Sequence, residues 1–238
     1  MKFKIAFIGL ASWLLAICSV NAQQPGNKVK VVGQMKNVMW KGQLHGNIHL
    51  DTIADKKKLY GLGPVEYLAG EILIIDGKAY KSTVVSDTKM KVEETYDIKA
   101  PFFGYANIAK WREQTLPDSI QTMQQLERYL DKVTKTSPRP FMFKLSGTVA
   151  EATIHVVNLP KGSKVSSPDE AHQGQKNYGL KNKSSDIIGF FSTQHKAILT
   201  HHDTFLHMHL ITDDRQQMGH LDQVLFKKGT VKLYLPAE

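Results

Sequence analysis

Three histidines near the end of the chain have the spacing of a metal site. His207 and His209 stand two residues apart in the apolar run Phe205 to Ile211, and His220 follows a polar turn, Thr212 to Gln217. Side chains alternate along a strand, so both imidazoles of the pair point to one face. The turn then brings the chain back and carries His220 toward them. Three converging imidazoles suit a borderline-soft divalent ion, zinc first, and three protein ligands leave a position open for substrate. The same spacing also fits strand histidines facing solvent on an antiparallel sheet, and the spacing alone does not choose between the two.

Sulfur chemistry is excluded by count. Cys18 is the only cysteine. It lies in an apolar run, Ile5 to Val20, which Lys2 and Lys4 precede and which Val20-Asn21-Ala22 closes on a small residue. That is the pattern of a secretory signal cleaved before Gln23. The expectation is an exported protein, periplasmic or secreted, without disulfides, thiol nucleophile or cysteine-ligated metal. The run is shorter than the ~20 apolar residues of a membrane span. Ile17 is bulky where a lipoprotein signal needs a small residue, so no stable membrane anchor is expected.

The net charge is +9, and loss of Lys2 and Lys4 with the signal would lower it by two. The lysines are scattered, as in Lys56 to Lys58, Lys181, Lys183 and Lys227-Lys228, with no aromatic residues interleaved. An exported protein rarely meets nucleic acid, and none is expected as a partner. The pattern reads as a solvated face that weakly favours an anionic substrate or an anionic surface.

Most of the chain reads as strands. Val29 to Val32, Glu71 to Asp76, Ala79-Tyr80, Met90 to Tyr96, Phe102 to Ile108, Ile187 to Phe191, Phe205 to Ile211, Leu221 to Phe226 and Thr230 to Leu235 all fit. Asp76-Gly77 is a tight-turn pair that makes Glu71 to Tyr80 a hairpin. Phe141 to Leu145 and Thr148 to Val157 read as a second hairpin about Ser146-Gly147. One helix is clear: Asp118 or Ser119 can cap it, and Ile120, Met123, Leu126, Leu130 and Val133 recur at helical spacing. Thr136-Ser-Pro-Arg-Pro140 ends it and marks a domain boundary. A shorter helix is expected around Pro64 to Leu68. Lys161 to Asp186 is polar and reads as a surface insertion, with His172 its one chemically distinctive residue.

Two segments together resemble the α-acetolactate decarboxylase family. In the first, Gly61-Leu62-Gly63 leads to Gly70-Glu71 and then to Asp76-Gly-Lys-Ala-Tyr80. The second is Leu206-His-Met-His-Leu-Ile-Thr-Asp-Asp-Arg215 through Met218-Gly-His220, with Ile188-Gly-Phe190 and Ser192-Thr193 upstream. The resemblance runs with gaps from about Lys56 to Pro236. It implies an α/β fold of two related lobes of mixed β-sheet with few helices. The lobes would be residues 23–138 and 139–238, after a signal peptide at 1–22 and with 161–186 inserted in the second. It also implies a zinc-dependent lyase, with zinc or a similar divalent metal held by His207, His209 and His220. That lyase converts 2-acetolactate, a 2-hydroxy-3-oxo acid, to acetoin and CO2. Glu71 would face the substrate, and a homodimer is compatible with this reading.

The residue types suit that chemistry. A β-keto acid loses CO2 readily when the electrons left behind flow into a carbonyl polarised by a Lewis acid. A partly buried acid such as Glu71 then protonates one carbon; its plain alternative is a strand-edge carboxylate paired with a lysine. Three departures stand out. The family's active-site arginine has only Arg112 as a counterpart in the segment Phe102 to Pro117, where an ion pair or surface role fits equally. The sequence stops at Glu238, before the family's glutamate-bearing tail, and the 161–186 insertion is extra. These leave two alternatives open: a non-catalytic metal-binding member, or a metal-dependent lyase or hydrolase for another small oxo acid. His201 and His202 precede the strand and are expected to be dispensable.

Overall fold

The computed structural model describes residues 27–237, so the expected signal segment lies outside the described residues. The first half of the chain forms β1 (Lys30–Val32), β2 (Ile48–His49), β3 (Leu59–Pro64), β4 (Glu71–Ile75), β5 (Lys78–Val84), β6 (Met90–Glu94), β7 (Lys99–Ala100) and β8 (Phe103–Asn107). The second forms β9 (Trp111–Thr115), β10 (Phe141–Val156), β11 (Lys176–Phe191), β12 (Leu206–Thr212), β13 (Met218–Phe226) and β14 (Lys232–Pro236). The α-helices are α1 (Met35–Lys41), α2 (Met123–Val133) and α3 (Pro168–Ala171).

Two six-stranded sheets result, ordered β1-β8-β3-β4-β5-β6 and β11-β12-β13-β10-β14-β9, with β2 and β7 forming a small separate pair. Two sheets with few helices are what the sequence predicts. The sheets are not mixed, however: every strand pairing in them is antiparallel. In the second sheet β10 pairs with β11 along one side and with β13 along the other, and β12 bridges those two. The four strands therefore close into a ring.

Two elements that precede the expected boundary at residues 138 and 139 attach to the second sheet. Strand β9 hydrogen-bonds to β14, and Leu126 and Leu130 of α2 pack in the core of the second sheet. Both belong with the C-terminal half. Helix α2 also starts later than its apolar spacing suggests. Thr122 caps it in a reciprocal box with Gln125, while Asp118 accepts from the Gly229 amide instead.

The hairpin expected at Ser146-Gly147 is one continuous strand. Residues 144–146 of β10 pair with β14, and from Val149 on the same edge pairs with β13. Gly147 sits where the partner changes, at φ +150°, and a Cβ there would lie 2.3 Å from the Thr230 carbonyl oxygen. The glycine marks a close backbone approach and not a turn. Half of the expected insertion is strand as well, since Lys176–Asp186 lies within β11. Tyr178 and Leu180 are the buried apolar residues there, Ser185 is buried as well, and the lysines and asparagines between them are exposed or half-buried. That sparse alternation hid the strand.

The two sheets pack face to face. Tyr60, Leu62, Leu73 and Ile75 from the first meet Met142, Ile188, Phe190, Ile211 and Met218 from the second. Leu206, Met208 and Leu210 point the other way, into the core that α2 covers. His207 and His209 share the parity of Ile211 and so face the first sheet. Glu71 shares the parity of Leu73 and Ile75 and faces the second. Strand periodicity alone thus aims a carboxylate and two imidazoles at one interface.

Candidate metal centre

Cross-strand register assembles the imidazoles. His209 of β12 lies directly opposite His220 of β13, and His220 lies directly opposite His155 of β10. Paired residues of adjacent strands project to the same face. A row of imidazoles therefore runs across three strands, with His207 one pleat along from His209. Ring centroids are 5.4 Å apart for His209 and His220, 4.7 Å for His155 and His220, and 5.1 Å for His207 and His220. Gly219 lets β13 pass close to β10, because a Cβ there would meet the His155 carbonyl oxygen at 2.4 Å.

The loop between β11 and β12 adds His201. Its Nε2 lies 3.1 Å from His220 Nε2. Ligand-capable atoms of His201, His207 and His220 all lie within 4.8 Å of one another, so these three could share one ion. His209 stands beside them, 5.3 Å from His207 between centroids. Two of the expected trio, His207 and His220, fall in this group, and His201, expected to play no part, stands in it where His209 was expected. His202 is exposed and packs edge-on against Trp40.

Glu71 arrives from the first sheet. A tight turn precedes it, in which Tyr67 and Leu68 adopt positive φ and Gly70 sits at +150°. A Cβ on Gly70 would meet the Ser82 carbonyl oxygen at 2.3 Å. The chain leaving β10 is stitched to this turn: the Leu159 amide donates to the Leu68 carbonyl, and the Val157 amide donates to Glu71 Oε1 at 3.3 Å. Glu71 is 3% exposed. Its Oε2 is 3.6 Å from His209 Nε2, and its Oε1 is 3.9 Å from His155 Nε2. No lysine pairs with it among the described residues. Burial raises its carboxyl well above the usual carboxylate range, the Val157 amide opposes this, and Asp222 adds to it.

The imidazoles are held neutral. Burial takes His209 down to about 3 and His201 to about 4, and puts His207 and His220 well below the ordinary value. His207 Nδ1 faces the Leu199 carbonyl at 2.8 Å, which makes Nδ1 the protonated nitrogen and leaves Nε2 with its lone pair. Neither ring nitrogen of His209 has a hydrogen-bond partner. The Ile72 backbone comes close enough to resist the drop in its basicity but not in bonding geometry. Buried polar atoms without partners are costly, and a metal ion satisfies such atoms. The donor set fits a nitrogen-preferring divalent ion.

Two residues of the site escape reading from sequence. His155 lies in β10, its Nδ1 2.7 Å from Asp222 Oδ1 and its ring against His220. His172 follows α3, bonds the Pro168 carbonyl through Nδ1 at 2.6 Å, and stands edge-on to His155. Only register and the folding of the 161–186 segment bring them in; spacing gives no sign. Arg112 goes elsewhere. It is exposed on β9, opposite Leu235, and the cavity is lined by Glu71, His155, His172, His201, His207 and His220 with apolar neighbours. Among the described residues no arginine lines it.

Comparison with known proteins agrees with this architecture. The family model described as alpha-acetolactate decarboxylase matches residues 32–236. The alpha-acetolactate decarboxylase of Brevibacillus brevis is 24% identical over 198 residues, 83% of this chain and 66% of the relative. The chain thus spans about two thirds of that protein's length. That of Lactococcus lactis subsp. cremoris is 25% identical over 179 residues, covering 73% of this chain and 70% of the relative. Among solved structures, alpha-acetolactate decarboxylase from Bacillus subtilis strain 168 superposes with TM-score 0.72 at 17% identity, over 88% of this chain and 86% of that one. A Staphylococcus aureus protein described as similar to alpha-acetolactate decarboxylase gives 0.71 at 18%, over 87% and 84%. At such identities the superpositions speak for the fold.

Proposed function

This chain belongs to the alpha-acetolactate decarboxylase family, and from that membership and the geometry above we propose that it is a carbon–carbon lyase converting 2-acetolactate to acetoin and CO2. The observation that carries the reading is Glu71: a buried carboxyl, biased by its burial toward the protonated form, delivered by one sheet against a row of imidazoles on the other.

His207, His209 and His220 would hold the metal, zinc or a similar divalent ion. That ion would supply Lewis-acid stabilisation to the electrons released when CO2 departs. The chain's own residues supply the rest. Glu71 Oε1 accepts from the Val157 amide, so Oε2, the oxygen nearer His209, is the one left to carry a proton. When the bond to the carboxylate breaks, the electron pair remains on the substrate, and Glu71 returns a proton to carbon. Water then reprotonates the carboxylate. Burial matches Glu71 to this task, because a general acid works best when it still carries its proton near the working pH. Asp222 orients His155 through Nδ1, and the apolar lining of Met35, Met39 and Phe102 keeps bulk water away.

A second reading is favoured by the cavity's lack of an arginine among the described residues. A metal-dependent lyase for a different small oxo acid keeps Glu71 and the histidines and drops the arginine's charge. Acetoin formation from racemic acetolactate by metal-replete protein decides between the two. Acetoin supports the first reading; metal binding without acetoin supports the second or a non-catalytic member. The protein is further proposed to be exported, with the mature chain starting near Gln23. N-terminal sequencing that finds Met1 intact, or a lipid on Cys18, would exclude this.

A further inference from the structure

His201, His207 and His220 bring ligand atoms within 4.8 Å of one another, His209 stands beside them, and the four imidazoles are not held alike. His209 and His220 are paired with neighbouring strands on both sides, and His207 is paired with Phe190 of β11 on one. His201 stands on the β11–β12 loop. We propose that His201 is a fourth, loop-borne ligand that completes the metal's resting coordination and must withdraw before a bidentate substrate can bind. This rests on the metal reading above.

Geometry supports the ligand role. Two nitrogens each bound at about 2.05 Å to one tetrahedral zinc lie about 3.3 Å apart. His201 Nε2 and His220 Nε2 are 3.1 Å apart with their rings tilted by 52°. The loop is also built around the site. Its Leu199 carbonyl fixes the tautomer of His207, the outer contact that metal-binding imidazoles normally make. One loop thus provides both a ligand and the support of a neighbouring ligand.

Geometry also demands the withdrawal. The free volume among the lining side chains is about 30 Å³, room for one or two waters and not for an oxo acid. Four imidazoles fill a tetrahedral ion, so a substrate binding through two oxygens needs a ligand to leave. The strand histidines cannot move without breaking the sheet. The loop can, and α1 sets how readily it does. The α1 amides of Met35 and Lys36 donate to the carbonyls of Ile198 at 3.0 Å and Ala197 at 2.7 Å, and Trp40 of the same helix packs on His202. Met35 and Met39 of that helix line the cavity. Helix and loop would therefore open together.

The test uses the full-length protein loaded with Co2+, whose visible absorption is intense for four-coordinate sites and weak for higher coordination. The variant His201→Ala should bind Co2+ and Zn2+ about 10-fold more weakly in chelator competition, as loss of one contact to the metal does, with the visible band falling in intensity. Titration with 2-hydroxy-2-methylpropanoate, a non-reacting bidentate acid, should shift the unsubstituted spectrum toward that of the variant. The variant itself should bind the acid more tightly, having no ligand to displace. If His201→Ala leaves both metal affinity and spectrum unchanged, His201 is only a neighbour and the proposal falls. His207→Ala separates the two readings: should it too keep metal unchanged, the metal reading itself is wrong. If the alanine variant fails to fold, His201→Asn, too short to reach the ion, gives the same comparison.

Discussion

The β12–β13 hairpin and the loop before it both deliver imidazoles to one cavity, and they do so by different means. In the hairpin, parity and register do all the work. His207 and His209 share a face because strands alternate, and His220 lies opposite His209 because the Thr212–Gln217 turn sets the pairing. The loop has no ladder to obey. It places His201 through individual contacts: Ser192 Oγ to His195 Nδ1 at 2.8 Å, the α1 amides, and the Leu199 side chain buried between the sheets. Positions set by alternation within one hairpin are legible in sequence, whereas positions set by a loop are silent in it. The same contrast separates Glu71, aimed by strand parity, from His172, brought in by a segment that sequence reads as an insertion.

The largest break in that contrast is expected at Glu71. The substitution Glu71→Gln keeps the shape and the Val157 contact but removes the transferable proton. A general acid contributes ~10²–10⁴-fold, so acetoin formation should fall by that order while metal content, measured by atomic absorption, stays the same. Intact acetoin formation in this variant would sink the proposed mechanism.

Acid should expose the cost of burying neutral imidazoles. In metal-free protein the unfolded chain takes up protons near the ordinary histidine value of 6.5, while His201 does not until about 4 and His209 until about 3. These depressed values favour unfolding as pH falls below 6.5. Between pH 7 and pH 5 each imidazole that stays neutral removes on the order of 2 kcal/mol at most. Glu71 acts in the opposite sense: its raised value makes it most favourable at low pH and costs stability as pH climbs above 4.5. Four imidazoles outweigh one carboxyl. The midpoint of thermal unfolding should therefore drop from pH 7 to pH 5, and bound Zn2+ should blunt the drop near pH 7. A flat profile would show that the cluster is more hydrated than its burial indicates.

Each strand histidine is next. Replacing His207, His209 or His220 with alanine should weaken bound metal by at least ~10-fold, since each removes a ligand. If His209→Ala alone is silent while His201→Ala is not, the ion sits among His201, His207 and His220, and the loop outranks the hairpin.

What could be read from sequence follows the same line. The His-x-His alternation and the Asp76-Gly77 turn are local patterns, and together with the family resemblance they single out three histidines and a carboxylate that strand parity and register then turn toward one interface. His155 could not be read, because a single histidine in Thr153-Ile154-His155-Val156 means nothing until β10 is known to pair with β13. The supposed hairpin at Ser146-Gly147 concealed that pairing, since glycine serves a close approach as readily as a turn. Helix α1 was missed because seven residues with one buried stripe give too short a period to detect. It nonetheless roofs the site.

Arg112 yields the smallest expected effect and the sharpest test of family reasoning applied without register. It is the one arginine of the segment Phe102 to Pro117. The structure puts it exposed on β9, the edge strand of the second sheet, where its Cα partner is Leu235. Trp111, its neighbour, is half-buried and packs edge-on to Tyr60 at 5.1 Å, so the strand is anchored by the tryptophan and not by the arginine. No ion pair to Arg112 is present among the described residues. A surface substitution of that kind changes stability by about 0.5 kcal/mol or less. Arg112→Ala should thus leave metal binding, turnover and thermal midpoint within error of the unsubstituted protein. A loss of turnover with metal retained would mean that β9 reaches the substrate in a conformation different from this one. The charge facing the substrate would then come from the sheet edge after all, and not from the imidazole row.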